Sequence, residues 1–281
     1  MYGKARNAKG MRTASLSGLR QGWNDLFLTC WRSLEELRGD YYQALVDPTE
    51  ATLFALAQAV EQRDCQTAGH CERMAFLSVA LGIVYGLERR DLLSVYRGAY
   101  LHDIGKVGIP DSILLKPGKL DAGQWEVMKT HPIRGVEICR HLRTLDPVIP
   151  IIRHHHERWD GSGYPDGLAG ENIPRLARVV QMADIYDALR TERPYKRAFT
   201  ADETVGIIDD EAGRGWRDPA LVEILHRLYH DVLSRWDKVT RSEWELEPIR
   251  DSLSRLRRVL AVKGGVQSLL PAADPNSPAI A

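Results

Sequence analysis

The sequence predicts an all-α protein, and three observations carry that prediction. Apolar residues recur at i, i+3, i+4 and i+7 in one segment after another. Proline and capping residues stand where those segments begin. No stretch alternates apolar and polar residues long enough to make a strand.

In chain order, residues 1–20 carry Lys4, Arg6, Lys9, Arg12 and Arg20 with no acid, among small residues and glycines, and read as a flexible basic tail. A nucleic-acid or membrane arm is the minority reading of those dispersed charges. Residues 21–46 form an amphipathic helix with Trp23, Leu26, Phe27, Cys30, Trp31, Leu34 and Leu37 on one stripe. Its plain reading is a helix packed on its own domain. The sharper one is a homodimer helix, since tryptophan and phenylalanine favour interfaces.

Residues 47–232 read as the main domain. Asp-Pro pairs open three of its helices: Asp47-Pro48, Asp146-Pro147 and Asp218-Pro219. The carboxylate can cap the first amides, and proline at the first helical position forfeits no hydrogen bond. Asp121 with Gln124, and Thr200 with Glu203, have capping-box spacing. Cys71 to Leu81 and Leu92 to His102 are helical by periodicity, and Pro174 opens RLARVVQMADIYDAL. Val179-Val180 and Ile149 to Ile152 are β-branched but lie inside longer helical patterns. Residues 233–263 read as a C-terminal helical extension with Ile249, Leu253, Leu256 and Leu260 on one face. Residues 264–281, beginning Gly264-Gly265, read as a disordered tail.

The totals bound the function. The 281 residues are 44% hydrophobic and 27% charged, with 38 basic and 38 acidic side chains. Balanced charge gives no global field for nucleic acid or an anionic membrane. Cys30, Cys65, Cys71 and Cys139 have no C-x-x-C spacing and read as reduced packing residues. No apolar run reaches membrane-spanning length and no secretory h-region is present, so a cytoplasmic location is expected.

The chemistry concentrates in two stretches. In the first, LHDIGK, the helical face Leu92, Val95 and Ala99 continues to His102, which should point inward with Asp103 about 100° round. Gly105 should then end the helix and free Lys106 to bend over the same cavity. In the second, HHHERWDGSGYP, the histidines 154–156 run into a glycine-punctuated loop, followed by a helix carrying Asp184 and, one turn on, Asp187. His131 precedes Pro132 and should mark a break between helices. Singly, each has an ordinary alternative: a histidine in a bend, an aspartate bonded to a helix end, a solvated lysine. Together they supply imidazole and carboxylate ligands for divalent metals.

The His-Asp pair and the HHHERWDGSGYP loop resemble the HD-GYP family, metal-dependent hydrolases of cyclic dinucleotides, over about residues 50 to 230. The resemblance implies an HD-domain helical bundle with extra HD-GYP helices and loop. It implies metal ligands at His70, His102, Asp103, His131, His155, His156 and Asp184, with His154 left behind the ligands or in packing. A family glutamate that adds a third metal falls here on Gln66, so two cations are expected, bridged by Asp103. Fe or Mn is favoured, and Ni or Zn also suits the ligands. The implied reaction is hydrolysis of cyclic di-GMP to pGpG and/or GMP by a hydroxide bridging the metals. Lys106 would assist the phosphoryl or leaving oxygen, and Gly163, Tyr164, Pro165, Asp187, Arg193 and Lys196 would face the substrate, with Arg190 and Arg197 as weaker candidates. Two alternatives remain: a non-catalytic cyclic-dinucleotide receptor or partner-binding module, and a hydrolase of another cyclic dinucleotide such as cyclic GMP-AMP. A broader phosphohydrolase acting on nucleoside phosphates is discounted by the GYP loop.

Overall fold

The computed structural model of the chain describes residues 48–63, 69–192 and 197–228, with the isolated positions 33 and 37. These belong to one unit, Met1–Asp237; the other, Lys238–Ala281, lies outside the described residues. So do the expected basic tail, nearly all of the N-terminal helix, the C-terminal extension and the terminal tail.

The described residues are helical, as the periodicity predicts. Ten α-helices follow in order: α1 Pro48–Arg63, α2 His70–Val84, α3 Arg89–Leu101, α4 Asp111–Leu114, α5 Ala122–Met128, α6 His131–Cys139, α7 Ile149–His154, α8 Arg175–Arg190, α9 Ala201–Gly213 and α10 Pro219–Leu228. A 3-10 turn, Ile104–Gly108, follows α3. Among the described residues the only extended pairing is an isolated bridge between Asp160 and Ala169.

Helix α2 is the axle. Its sequence is apolar almost all round, and Cys71 through Gly82 are buried with only Arg73 partly exposed. A helix apolar on every side belongs inside a bundle, and α2 packs against α3 and α8. Met74, Phe76, Val79, Val95, Ala99, Leu101, Ile151, Ile152, Val179 and Val180 are fully or almost fully buried around it. Each large apolar side chain there contributes about 1.5–3 kcal/mol relative to exposure. His70 and His131 stand at the starts of α2 and α6, and His102 and His154 to His156 at the ends of α3 and α7.

The capping boxes at Asp121–Gln124 and Thr200–Glu203 are both formed. Pro48, Pro174 and Pro219 stand at or beside the helix starts expected of them. Asp146-Pro147 does not. Asp146 adopts helical φ and ψ of −47° and −42° instead of an extended capping geometry. The turn Arg143–Leu145 runs on through Val148, whose amide bonds to Leu145 O, and α7 begins only at Ile149.

Candidate metal centre and its cleft

Four histidines are oriented by one device: Nδ1 is tied back, leaving Nε2 to face the interior. His102 Nδ1 lies 2.9 Å from Ala99 O, His131 Nδ1 2.9 Å from Met128 O, and His155 Nδ1 2.9 Å from Ile152 O. A carbonyl only accepts, so Nδ1 carries the proton and, in the neutral ring, Nε2 keeps a lone pair. His70 uses a carboxylate instead, its Nδ1 lying 2.7 Å from Asp187 Oδ2. The three carbonyls all belong to the residue three before the histidine, in the last turn of a helix where carbonyls lack intrahelical partners.

Gly105 brings two of these stations together. A Cβ there would sit 1.9 Å from His131 O, so only glycine lets the turn after Asp103 lie against α6. It therefore does not free Lys106 by ending the helix, as the sequence suggested. It lies inside the 3-10 turn, and Arg63 of α1 holds that turn through Val107 O and Ile109 O at 3.3 and 2.7 Å.

The ligand-type atoms form two groups. Asp103, His131, His155 and His156 bring theirs within 4.8 Å of one another, and so do His70, His102 and Asp184. Asp103 joins them. Its Oδ1 lies 3.2 Å from His131 Nε2 and 3.8 Å from His155 Nε2, while its Oδ2 lies 3.3 Å from His102 Nε2. Lys106 Nζ, bent back as expected, is 2.8 Å from the same Oδ2.

The electrostatics fit a cation in this place. His102 Nε2 is buried and faces Asp103 Oδ2 at 3.3 Å. Burial disfavours its cation, but Asp103 beside it pushes His102 up to about 9. Burial and neighbouring imidazoles hold His155 and His156 down as neutral rings. Against its burial, Lys106 and His102 keep Asp103 well below the usual carboxylate range. An ionised carboxylate among converging imidazole nitrogens is a donor set suited to divalent metal, and a cation entering it would displace the proton of His102.

The HHHERWDGSGYP loop is clamped from below by Glu157. This side chain is fully buried, and its two oxygens accept from the amides of Asp166 and Leu168 at 2.8 and 3.1 Å. Arg153 grips Asp166 with two bonds of 2.7 Å. Gln181 of α8 donates to the carbonyls of His155 and Glu157. The Tyr164–Pro165 peptide is cis, and Tyr164 stacks on His156 with ring centres 4.8 Å apart. A Cβ at Gly163 would lie 2.4 Å from Glu157 Cα, which explains the glycine before the tyrosine. His154 lies beside Glu157 and Asp166, behind the other two histidines.

A cleft of about 330 Å³ opens over the centre, with Asp103, Lys106, His156 and Asp184 on its polar side and Leu114, Leu120, Trp125, Met128, Tyr164 and Ala188 completing it. Asp187 does not face this cleft. It is buried at 2% exposure, bonded to His70 and to Arg73 Nε at 2.6 Å, because its position three residues after Asp184 aims it at α2. Arg193, Lys196 and Gln66 lie outside the described residues. Arg197 pairs with Glu203, and Arg190 donates to Phe199 O. Sequence reasoning missed Arg73, Gln181 and the clamping role of Glu157. For Arg73 and Gln181 the available signal was a charged or amide residue on an otherwise apolar helix.

A family model described as an HD domain matches residues 55–221, more than half of the chain. The chain belongs to the HD domain family. The HD-GYP reading taken from HHHERWDGSGYP stands with it. Among curated relatives of this HD domain, the cyclic di-GMP phosphodiesterase response regulator RpfG of Xanthomonas campestris is 44% identical over 63% of the chain and 47% of its own length. The 3'3'-cGAMP-specific phosphodiesterase 2 of Vibrio cholerae is 39% identical over 69% of the chain and 36% of its own. The chain thus spans less than half the length of either. A crystal structure titled as a cyclic GMP-AMP-specific phosphodiesterase of Vibrio cholerae shares the fold, with TM-score 0.51, 23% identity and coverage of 64% of this chain and 48% of that one. No helix among the described residues is long and apolar enough to cross a membrane.

Proposed function

We propose that the chain is a metal-dependent phosphodiesterase of cyclic dinucleotides, with cyclic di-GMP its substrate and pGpG and/or GMP its products. The observation that carries this is the division of Asp103, one oxygen toward the His131–His155 group and the other toward His102, beside an open cleft. In this reading Asp103, His131, His155 and His156 would hold one cation, and His70, His102 and Asp184, together with Asp103, would hold a second. When bound, such a pair supplies an activated water and neutralises charge on the phosphoryl oxygens.

The chain's own groups do the remainder. The Nδ1 bonds fix the imidazoles of His70, His102, His131 and His155, so that these need no reorganisation on binding. Lys106, held at Asp103, offers its ammonium to a phosphoryl or leaving oxygen at the cleft floor. Tyr164 covers His156 and excludes water from that side. Burial pushes its phenol up, so it stays a neutral hydroxyl. Arg193 and Lys196, outside the described residues, are assigned to the substrate phosphates by the family resemblance.

Glu61 supports two metals over three. Its carboxylate oxygens already accept from the amides of His70 and Cys71 at 2.8 and 3.1 Å, capping α2. Fe or Mn is favoured for the pair. A relative named for 3'3'-cGAMP favours cyclic GMP-AMP as the second reading. Purified protein supplied with Fe(II) or Mn(II) and each cyclic dinucleotide, followed by chromatography of the products, tests both. Linear pGpG or GMP is expected from cyclic di-GMP; an unchanged substrate with metal bound would favour a non-catalytic receptor.

A further inference from the structure

The cleft has a second half that the metal centre does not use. Helix α5 places Trp125 at 44% exposure, among the few large apolar side chains so exposed in the described residues. Its ring meets Tyr164 edge-to-face at 6.0 Å, and Tyr164 in turn stacks on His156 at 4.8 Å. An aromatic ladder therefore leads from the histidines to solvent. Leu114, Leu120 and Met128 flank its outer rung along the same cleft. Helix α5 packs on the short helix α4. Burial within the fold does not account for a tryptophan held half open beside three aliphatic side chains.

We propose that Trp125, with Leu114, Leu120 and Met128, is a platform for one purine base of the substrate, the phosphate lying at the Asp103–Lys106 side. The phosphate end of this proposal rests on the phosphodiesterase reading. The occupant follows from continuity with that site, because a nucleotide whose phosphate meets Lys106 carries a flat, weakly hydrated ring a few bonds away. Stacking on an aromatic face tolerates either purine, since every base has a π-face. Among the described residues that line this half of the cleft, none has an amide, carboxylate or guanidinium side chain to read a base edge. Trp125 therefore supplies affinity for a base while discriminating little between guanine and adenine.

The test uses Mn(II)-loaded full-length protein and three ligands that differ only in the base: GMP, AMP and ribose 5-phosphate, titrated calorimetrically. Wild type should bind both nucleotides roughly 5- to 150-fold more tightly than ribose 5-phosphate, the span expected for stacking one base. Trp125→Leu should abolish that advantage while leaving ribose 5-phosphate affinity unchanged, and Trp125→Phe should keep most of it. Because Trp125 is half exposed on a short helix, neither variant should unfold. Equal binding of all three ligands to wild type, absence of binding, or a base advantage surviving Trp125→Leu overturns the platform. A preference of GMP over AMP above about tenfold does so too, since it requires edge reading beyond stacking. Turnover of cyclic di-GMP by the same wild-type sample separates the readings: a base advantage without hydrolysis leaves the platform standing and removes the phosphodiesterase.

Discussion

Asp187 Oδ2 lies 2.7 Å from His70 Nδ1, and Arg73 holds the same carboxylate through Nε at 2.6 Å. The acidic residue nearest in sequence to Asp184 thus works away from the cleft, orienting a histidine from behind. Asp187→Asn keeps the shape and removes the charge. It should weaken the more weakly held metal about 10- to 100-fold, the usual effect of losing such a partner, with little change in KM for substrate at saturating metal. Metal titration beside steady-state kinetics checks this. A raised KM with unchanged metal affinity would return Asp187 to the substrate side.

The same pair makes a pH prediction. Burial alone would raise the Asp187 carboxyl, yet Arg73 and His70 hold it below the usual range. A carboxylate depressed in the folded state contributes stability above its unfolded value of about 3.9, and that stability is lost as pH falls toward the folded one. Metal-free wild type should lose stability below about pH 4 more steeply than Asp187→Asn does. Urea melts at pH 5 and pH 3 provide the comparison, and parallel losses in the two proteins would contradict it.

Asp103→Ala removes the one carboxylate shared by the two groups. The expected result is loss of one or both metals and near-complete loss of turnover. Elemental analysis of the purified variant is the direct readout. An Asp103→Ala protein with both metals and full activity would mean that the bridge is misplaced.

Arg193→Ala with Lys196→Ala should leave metal content intact. Loss of two charge-assisted phosphate contacts would cost on the order of 10²- to 10⁴-fold in affinity if they act independently. That cost should appear chiefly as raised KM. A double variant with wild-type KM would place the phosphates elsewhere.

Gly105→Ala puts a methyl carbon into His131 O, and backbone cannot yield as a side chain can. A loss of about 3 kcal/mol or more is expected in a denaturant melt, together with weakened metal binding. Wild-type stability in this variant would show that the turn and α6 separate easily.

Helical periodicity and caps made most of the fold legible, since each signal is local. The seven ligand-type residues were legible as a set from types and motif, and the structure gathers them into two groups. What could not be read were the contacts set by packing. The bearing of Asp187 depends on where α2 lies against α8, and Gly105 is required by a carbonyl 26 residues away. Glu157 looked like part of a motif, while its work is to hold two amides of the loop beyond it. The late start of α7 escaped because a preceding 3-10 turn took the Asp146-Pro147 signal.

The central claim is that Asp103 joins two cation sites. Anomalous diffraction from crystals of Mn(II)-loaded protein tests it most directly. The account predicts two manganese peaks per chain, one touched by His131, His155 and His156, the other by His70, His102 and Asp184, with Asp103 touching both. A single peak, peaks away from these seven residues, or a third peak held by Glu61 pulled from the His70 amide would contradict it.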